Sequence, residues 1–377
     1  MTSRGVAILG STGSIGTTAL RVLERQRDRF HVAALTAFSN AALLAEQAAR
    51  FAPSYVGLVQ NGEGEHPGWG MGTGCLIDAA VFEGADIVLN AVVGAAGLDA
   101  TLAALERGKR VALANKESLV MGGTLVTDAA TRGGGELVPV DSEHSAILQC
   151  IAGRPSSEVR RLVVTASGGP FRRWSGAQLE NATLADALQH PTWRMGRKIT
   201  VDSATLANKA LEVIEAHFLF GLPYDRIEVV VHPQSVVHSF VEFVDGSVLA
   251  QLGVPSMELP VLYALTYPDR VPDTGVPPFD PVELSPLTFE RVRTREFPAL
   301  ELGMQAGRRG GAAPAVFNAA NEQAVAYFLE GTIRFGDIPR AIESALTRLG
   351  DAASGTRDAI LAADASARRH VQELFRC

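Results

Sequence analysis

A glycine-rich turn between an apolar strand and a helix opens the chain and constrains its fold more than any other feature. The strand is predicted at Gly5–Leu9, the turn is Gly10-Ser-Thr-Gly-Ser-Ile-Gly16, and a helical pattern continues to Arg27. Glycines let the backbone approach a pyrophosphate, and the N–H groups and dipole of a helix N-terminus favour its charge. Although its spacing is G-x-x-G-x-x-G rather than G-x-G-x-x-G, the turn predicts a dinucleotide site. Its predicted cofactor-binding residues are Thr12, Gly13, Ser14 and Ile15.

The end of the second predicted strand, His31–Thr36, indicates which dinucleotide binds. An acidic residue usually lies there to bind the ribose 2′-hydroxyl of NAD(H), but this chain continues into Ala37-Phe-Ser-Asn40. Without a carboxylate to repel a 2′-phosphate, NADPH is favoured over NADH. Ser39 and Asn40 are therefore predicted to bind the cofactor, although no Arg or Lys lies at this turn to pair with the 2′-phosphate.

Strand and helix patterns alternate from Gly5 to Val140, which implies a parallel sheet with right-handed crossovers. The remaining strands of this sheet are predicted at Tyr55–Val59, Ala85–Asn90, Arg110–Ala114 and Glu136–Val140. A second sheet is predicted after Gly153, with a hairpin around Asp245-Gly246. Its strands are predicted at Val159–Thr165, Ile227–Val231, Val236–Phe243 and Ser247–Leu252.

The predicted fold class is α/β, and we divide the chain into three domains and a linker. A Rossmann-like NADPH-binding domain covers 1–142, and an α+β central catalytic domain covers 143–267. Residues 268–299 form a linker, because 7 of the 19 prolines lie between Pro268 and Pro298. Residues 300–377 form a C-terminal α-helical domain whose charged last segment is expected to be exposed.

Two carboxylates, Asp141 and Glu143, follow the predicted strand Glu136–Val140. Residues i and i+2 of an extended chain point to the same side, so we expect these side chains to converge. Close carboxylates repel each other unless a proton or cation lies between them, and hard ions such as Mg²⁺ or Mn²⁺ prefer such oxygen ligands. An isolated Asp-x-Glu is more often a solvated loop, but the dinucleotide turn and the polar residues of the second half favour a metal site.

Residues 200–216 are predicted to form a loop that enters a helix. Their three- and four-residue spacing places four polar side chains on one helix face, Thr205, Asn208, Lys209 and Glu212. The opposite stripe is apolar, so the polar face meets either solvent or a cavity.

If it meets a cavity, the chemistry of this face suits a phosphorylated substrate. Ser203, Asn208 and Lys209 would bind the phosphate, and Glu212 would reach the metal. Ser167, in the turn Ala166–Phe171, offers a further hydroxyl.

A long connection between Ser167 and Lys198 contains His190 and Trp193. Connections of about thirty residues are often lids. Isolated His and Trp residues are usually packing residues, but on a lid they would close over a ligand.

Composition argues against several classes of protein. Lys and Arg total 34 against 41 Asp and Glu, and no basic block occurs, so nucleic-acid binding is not expected. No apolar run approaches the roughly 20 residues of a membrane span, and the strand at Gly5 leaves no room for a cleavable signal. Cys75, Cys150 and Cys377 fit no disulfide or zinc pattern. We expect a cytoplasmic enzyme without a membrane or nucleic-acid partner.

Motifs along nearly the whole chain resemble the 1-deoxy-D-xylulose 5-phosphate reductoisomerase family. They occur in the family's order, at Gly10–Gly16, Ala114–Ser118, Pro139–Ser145, Ala166–Phe171, His190–Gly196, Ala207–Ala216, His232–Ser239 and Phe317–Glu322. The resemblance implies a homodimeric enzyme of the non-mevalonate route to isoprenoids that depends on NADPH and on Mg²⁺ or Mn²⁺. It would rearrange and reduce 1-deoxy-D-xylulose 5-phosphate to 2-C-methyl-D-erythritol 4-phosphate.

The resemblance also implies roles for individual residues. The metal ligands would be Asp141, Glu143 and Glu212, and Lys116 and His190 would join them as catalytic residues. The substrate-binding residues would be Lys116, Ser142, Glu143, Ser167, His190, Trp193, Ser203, Asn208, Lys209 and Glu212. Asn115, Glu117 and Gly196 would join Ser39, Asn40 and the Gly10–Gly16 turn at the cofactor.

One segment departs from the family pattern. The family usually has Gly-x-Pro-Asp-Met followed by Arg or Lys, whereas this chain has Gly253-Val-Pro-Ser-Met-Glu258. Ser256 and Glu258 are the only support for one alternative, a related NADP-dependent oxidoreductase that acts on another phosphorylated sugar. The second alternative is a nucleotide-binding regulator without catalytic activity. Such a protein would be expected to lack metal ligands, but all three carboxylates and Lys116 are present.

Overall fold

The computed structural model describes residues 3–60 and 66–376. They form two compact units. The first unit comprises residues 1–119, 124–145 and 256–278, and the second comprises 120–123, 146–255 and 279–377. The predicted division into three domains and a linker remains a prediction.

The first unit contains a seven-stranded sheet in which all pairings are parallel. Its strands are β1 (Arg4–Leu9), β2 (Phe30–Ala37), β3 (Tyr55–Leu58), β4 (Gly70–Met71), β5 (Ile87–Asn90), β6 (Arg110–Leu113) and β7 (Glu136–Pro139). The strand order β4-β3-β2-β1-β5-β6-β7 reverses direction at β1. Ligands of such sheets bind outside the carboxyl ends of the strands at this switch point, here beside β1 and β5.

Helices connect β1 to β2, β2 to β3, β4 to β5, β5 to β6 and β6 to β7. They are α1 (Ser14–Arg25), α2 (Ala41–Phe51), α3 (Gly74–Val81), α4 (Gly97–Glu106) and α5 (Lys116–Gly133). The apolar runs of β1, β2 and β5 are almost completely buried, as parallel strands covered by helices on both faces require. The predicted Rossmann-like architecture is confirmed.

The second unit contains a mixed five-stranded sheet. Its strands are β8 (Val159–Ala166), β9 (Ile227–Val231), β10 (Val237–Phe243), β11 (Val248–Leu252) and β12 (Glu290–Arg291), in the order β11-β10-β8-β9-β12. Residues 244–247 form the predicted hairpin between β10 and β11. The predicted linker contributes β12, a two-residue edge strand that no sequence pattern indicates.

The remaining helices follow in chain order. They are α6 (Ser142–Ile151), α7 (Gly176–Glu180), α8 (Leu184–Ala187), α9 (Arg197–Thr205), α10 (Ala207–Phe220), α11 (Glu258–Thr266), α12 (Pro298–Arg309), α13 (Ala313–Leu329), α14 (Asp337–Leu349) and α15 (Arg357–Leu374). Helix α6 begins in the first unit, and α11 belongs to it. Helix α13 lies at the centre of the helical core, where Phe317 and Phe328 are buried.

Two expectations about the second unit were wrong. The connection from Ser167 to Lys198 is not one long lid, because Phe171, Leu179 and Ala187 are buried in the helical core. Only residues 188–196 lie outside helices as a continuous segment before α9. The last segment is not simply exposed, since α15 buries one face that includes Ala367 and Val371.

Glu258, the acidic residue at the departure from the family pattern, has partners within the first unit. Its carboxylate forms ion pairs with Arg21, at 3.1 Å, and with Arg25, both on α1. Arg25 also pairs with Asp273 at 2.7 Å, and Gln26 donates to the same carboxylate at 3.0 Å. The acid is therefore compensated by two arginines of α1 and fastens α11 to that helix.

Cys75 and Cys150 are buried free thiols, and Cys377 lies outside the described residues. Burial raises the pKa of the Cys75 thiol to about 11, so this side chain is inert packing. Within the described ranges, none of the helices is both long enough and apolar enough to span a membrane.

Candidate active site

The Gly10–Gly16 turn joins β1 to α1 at the switch point of the first sheet. Gly13 precedes the first residue of α1, and no side chain caps that helix end. Residues 12–15 are exposed or half-buried, and the Gly13 N–H donates to the Gly10 carbonyl oxygen at 3.1 Å, which closes the turn. A row of uncapped N–H groups at a helix N-terminus attracts an anion, as a pyrophosphate requires.

Glycine is required at two positions of this turn for different reasons. Gly10 has φ +83°, and a Cβ there would lie 2.7 Å from the Ala91 carbonyl oxygen. A Cβ at Gly16 would lie 2.5 Å from the Ser11 Cα, because α1 packs directly against the turn.

Gln47, which the sequence did not indicate, stabilises the turn. Ser11 Oγ donates to Gln47 Oε1 at 2.7 Å, and Gln47 Nε2 donates to the Ser11 carbonyl oxygen at 3.0 Å.

Ser39 and Asn40 lie at the carboxyl end of β2 and are exposed. Asn40 caps α2, because its Oδ1 accepts a hydrogen bond from the Leu43 N–H at 3.1 Å. Its side chain therefore already has a structural partner, whereas Ser39 offers its hydroxyl to solvent or to a ligand.

Asn115 and Glu117 lie at the start of α5 and are buried. Asn115 caps this helix, and its amide donates to Val92 O at 2.9 Å, Gly94 O at 3.0 Å and Glu117 Oε2 at 2.8 Å. These bonds tie the loop after β5 to the loop after β6. A cofactor at this end of the sheet would therefore meet mainly the backbone that these two side chains position.

Asp141 and Glu143 lie between the end of β7 and the first turn of α6. The two carboxylates converge as expected, with an oxygen of each within 4.8 Å of the other. The extended chain is not the reason, because β7 ends at Pro139 and α6 begins at Ser142. Asp141 instead starts the helix: its Oδ1 accepts from the Glu143 N–H at 3.1 Å, and its carbonyl accepts from the Ser145 N–H at 2.8 Å. Carboxylates are favoured at such a helix N-terminus.

Lys116 supplies the positive charge beside this carboxylate. Its ammonium forms an ion pair with Asp141 Oδ2, and His144 Nδ1 lies 3.5 Å from Asp141 Oδ1. Ser142 Oγ donates to Glu143 Oε2 at 2.6 Å. The first unit thus places Lys116, Asp141, Ser142 and Glu143 together at the carboxyl ends of β6 and β7.

The polar residues of the second half lie on two helices rather than on one. Residues 197–205 form α9, and Leu206, at φ +63°, separates it from α10. The predicted loop entering a helix was therefore wrong, and Thr205 lies on α9 while Asn208, Lys209 and Glu212 lie on α10. The left-handed residue changes the helix direction within the second unit, so that Ser203 ends one helix and Asn208 begins the next.

Lys209 and Glu212 are buried although they are charged. Glu212 is only 1% exposed, and its carboxylate accepts from the Lys209 ammonium and from Asn208 Nδ2, the latter at 2.5 Å. A charged pair without a role is seldom buried this deeply, since desolvation offsets its attraction. The polar face is therefore not a solvated surface, which decides between the two alternatives that the sequence left open.

Ser167 and His190 form a second polar group in this unit. His190 Nδ1 accepts from the backbone N–H groups of Thr192, at 3.2 Å, and Trp193, at 2.8 Å. Its Nε2 therefore carries the proton and donates to Ser167 Oγ at 3.0 Å, and the Gly169 N–H donates to the same oxygen at 3.2 Å. The serine oxygen accepts both bonds, so its own O–H is directed to donate elsewhere.

Burial lowers the pKa of His190 to about 4, so the ring is neutral near pH 7. Trp193, on the same segment, has its ring centroid 6.4 Å from that of His238. Gly196 is exposed and precedes α9.

Comparison with known proteins decides the family. The model for 1-deoxy-D-xylulose 5-phosphate reductoisomerase matches residues 6–123, and two models for its C-terminal domain match residues 137–220 and 252–370. The chain is 51% identical to the enzyme of that name from Synechococcus sp. (strain JA-2-3B'a(2-13)), over 98% of this chain and 97% of the relative. The chain belongs to the 1-deoxy-D-xylulose 5-phosphate reductoisomerase family. The enzyme from Gloeobacter violaceus is 49% identical, again over 98% of this chain and 97% of the relative.

Solved structures of the family have the same fold. The enzyme from Zymomonas mobilis in complex with NADPH matches with a TM-score of 0.92 at 43% identity and covers all of both chains. A DOX-P reductoisomerase in complex with NADPH, fosmidomycin and magnesium matches with a TM-score of 0.93 at 40% identity, over 98% of each chain. These structures cover nearly the whole chain, and they therefore confirm the fold class predicted from the sequence.

Proposed function

We propose that this chain catalyses the NADPH- and divalent-metal-dependent conversion of 1-deoxy-D-xylulose 5-phosphate to 2-C-methyl-D-erythritol 4-phosphate, a step of isoprenoid biosynthesis. One observation carries the proposal: a family match over nearly the whole chain coincides with a buried Lys209–Glu212 pair that a solvated surface would not contain. The nucleotide turn beside β1 and the carboxylates after β7 supply the other two requirements, a cofactor site and oxygen ligands.

A divalent cation fits the carboxylates that the sequence indicated. Asp141, Glu143 and Glu212 each offer one carboxylate oxygen, the donor type that Mg²⁺ and Mn²⁺ prefer. When bound, such a cation polarises substrate oxygens as a Lewis acid. Lys116 adds positive charge toward the same oxygens, and Ser142 binds a substrate hydroxyl.

The second unit binds and orients the substrate phosphate. Ser167 donates its O–H, which His190 and the Gly169 N–H hold in place, and Ser203, Asn208 and Lys209 supply further donors. Fixing the phosphate places the reacting carbons, which lowers the entropic part of the barrier. His190 and Trp193 in segment 188–196 exclude water from the bound substrate.

NADPH, when bound, supplies the hydride that reduces the rearranged aldehyde. Residues 12–15 would hold its pyrophosphate, Ser39 and Asn40 would bind its ribose, and Asn115, Glu117 and Gly196 would complete the cofactor site. Ser39 is exposed and carries no charge, whereas an acidic residue at this position would repel a 2′-phosphate. This supports NADPH rather than NADH as the cofactor.

The active enzyme is proposed to be a cytoplasmic homodimer. Strand β11 lies at the edge of its sheet, and Val248, 54% exposed, and Leu249, 43% exposed, lie on it. An apolar edge strand is a template for pairing with another chain, which supports a second copy as its partner. Sedimentation at micromolar protein should give twice the chain mass, and Leu249→Lys should shift it toward the monomer. A monomer in the unaltered protein would contradict the dimer.

The buried free thiols of Cys75 and Cys150 agree with a reducing compartment such as the cytoplasm.

The reaction is tested by following NADPH absorbance with 1-deoxy-D-xylulose 5-phosphate in the presence and absence of Mg²⁺ or Mn²⁺. We expect oxidation that requires both the sugar phosphate and the cation, with 2-C-methyl-D-erythritol 4-phosphate as the product by mass spectrometry and NMR. No oxidation with either cation would contradict the proposal. Glu258 no longer supports the alternative substrate, because Arg21 and Arg25 account for its charge.

A further inference from the structure

A polar stripe on α13, formed by Asn318, Asn321 and Glu322, interrupts a helix that is mostly apolar and buried. Three- and four-residue spacing places these side chains on one face. They belong to the motif Phe317–Glu322, for which the proposed reaction supplies no role. Asn318 and Asn321 are completely buried, and the Oδ1 atoms of both have no hydrogen-bond partner among the described residues.

The stripe reaches α9 through Asp202. Asn321 Nδ2 donates to Asp202 Oδ1 at 2.8 Å, and Asp202 is only 1% exposed. Lys198, one turn earlier on α9, lies 3.0 Å from Asp202 Oδ2 and 3.7 Å from Glu322 Oε1. Helix α13 therefore contacts α9 twice. Asn321 is hydrogen-bonded to Asp202, and the Lys198 ammonium lies between the carboxylates of Asp202 and Glu322.

Helix α15 supports the same group from the other side. Arg368 pairs with Glu322 at 2.5 Å and with Asp364 at 2.8 Å. Although burial opposes the charge, the two carboxylates raise the pKa of the Arg368 guanidinium above its ordinary value. The row of side chains Arg368–Glu322–Lys198–Asp202 thus alternates in charge from α15 to α9, and all four residues belong to the second unit.

Asp202 immediately precedes Ser203, the proposed phosphate donor at the end of α9. Ser203 also sets the position of the Ser167 turn, because a Cβ at Gly169 would lie 2.7 Å from the Ser203 carbonyl oxygen. A shift of α9 by a fraction of an ångström would therefore move both phosphate-binding hydroxyls. A buried carbonyl oxygen without a partner, such as Asn321 Oδ1, lowers the stability of the fold. We therefore assign the role of this side chain to the hydrogen bond that its Nδ2 donates to Asp202.

We propose that Asn321, with Asp202, Lys198 and Glu322, is a positioning group through which the C-terminal helices hold α9 in the geometry that binds the substrate phosphate. Lys198 is thereby a structural cation of this group and not a further phosphate ligand. The inference rests on the proposed function, because it takes Ser203 as a phosphate donor.

A double-mutant cycle between Asn321→Ala and Ser203→Ala tests the inference. The readout is the inhibition constant of inorganic phosphate against the sugar phosphate, with the dissociation constant of NADPH and the melting temperature measured in parallel. We expect Asn321→Ala to weaken phosphate about tenfold, as coupled neighbours do, and to leave NADPH affinity within about twofold. In the Ser203→Ala background the same change should weaken phosphate less than about twofold.

Two further variants keep the test decisive. Asp202→Asn preserves the volume and an acceptor for Asn321 but removes the charge beside Lys198, so it should weaken phosphate about threefold while the protein remains folded. Gln323→Ala, which changes a neighbouring contact of α13 to Gln372 and not to α9, is the matched control and should leave phosphate binding unchanged.

Unchanged phosphate affinity in folded Asn321→Ala or Asp202→Asn protein would overturn the inference, as would equal losses in both Ser203 backgrounds. These outcomes differ from failure of the proposed function, in which the unaltered protein would not oxidise NADPH with the sugar phosphate at all.

Discussion

The nucleotide turn of the first unit and the proposed phosphate-binding residues of the second unit both suit anions, but they do so by opposite means. The Gly10–Gly16 turn offers backbone N–H groups, and its side chains are small or point outward. The second unit offers the buried Lys209 ammonium, fixed by Glu212, and the Ser167 hydroxyl, fixed by His190. A site made of backbone N–H groups should keep its affinity for the anion when side-chain chemistry changes, but it should lose affinity when an added atom crowds the backbone. A site made of side chains should lose affinity when one charge is removed.

Removing the ammonium of Lys209 should have the largest effect. Lys209→Met keeps the length of the side chain but deletes the charge, and we expect kcat/KM for 1-deoxy-D-xylulose 5-phosphate to fall about 10³-fold, the scale of a lost buried charge contact. Steady-state kinetics measure this. Lys109→Met, which removes a half-buried lysine of the first unit, is the control and should cost stability but little kcat/KM.

The ion pair with Glu212 changes what Lys209→Met does to the metal. From the sequence we assigned Lys209 to the phosphate and Glu212 to the metal, but in the structure the two side chains are paired. Because the Lys209 ammonium neutralises the Glu212 carboxylate, its loss leaves a buried charge that a cation can compensate. We therefore expect Mn²⁺ affinity to stay equal or rise, and a marked loss of Mn²⁺ affinity would show that Lys209 supports the metal site.

Neutralising Glu212 should have the next largest effect. Glu212→Gln keeps the shape but removes a proposed ligand charge, so Mn²⁺ affinity measured by calorimetry should drop about 100-fold. Glu215→Gln, at another buried carboxylate of α10, is the matched control and should leave it unchanged. Activity of Glu212→Gln within about twofold of the unaltered enzyme at limiting metal would exclude Glu212 as a ligand.

Adding one methyl group to the nucleotide turn should break the backbone site. Gly16→Ala places a Cβ against Ser11 and the Gly10 carbonyl, so α1 must move and NADPH affinity should fall about 50-fold. Gly74→Ala, at the first residue of α3, is the matched control, because a Cβ there would meet nothing within 4 Å. Fluorescence titration with NADPH compares the two, and equal losses would mean that the turn is not closely packed.

A new charge at Ser39 should have a smaller and selective effect. Ser39→Asp places a carboxylate near the proposed 2′-phosphate, so NADPH affinity should fall about fivefold while NADH affinity changes little. Ser39→Asn controls for size. If Ser39→Asp leaves NADPH binding unchanged, this turn does not contact the ribose.

Protonation of His190 should have no effect on activity near neutral pH. The pKa of His190 is lowered from 6.5 to about 4, so its neutral form is favoured by folding. Its contribution to stability is complete above pH 6.5 and is lost as the pH falls through 4, because the unfolded chain binds the proton first. NMR should show no His190 titration above pH 5.5, and an imidazole that titrates near pH 6.5 would contradict the buried hydrogen bonds.

Most strands of both sheets were predicted to within two residues, because apolar runs bounded by turn residues define them. Strands β4 and β12 were not predicted, since two-residue edge strands carry no periodicity. The candidate site residues were proposed from motifs and stay a prediction, and two of the local geometries expected for them were wrong. The helix cap at Asp141 and the left-handed Leu206 both break a regular pattern within one residue, which periodicity does not register.

The pairing of Asp202 with Asn321 could not be predicted, because 119 residues separate them. The sequence did contain a signal for one partner. Two asparagines and a glutamate interrupt an apolar helix, and polar residues in such a position usually have a partner elsewhere in the core. Sequence spacing shows that such a stripe exists, and only the fold shows what it contacts.

The contrast between the two anion sites is tested most directly by one ratio. It is kcat/KM for 1-deoxy-D-xylulose 5-phosphate divided by kcat/KM for 1-deoxy-D-xylulose, measured for the unaltered enzyme, Gly16→Ala and Lys209→Met. Gly16→Ala should lower both values equally and keep the ratio, because the nucleotide turn does not distinguish the substrates. Lys209→Met should collapse the ratio toward one. A ratio that Lys209→Met leaves unchanged would contradict the account.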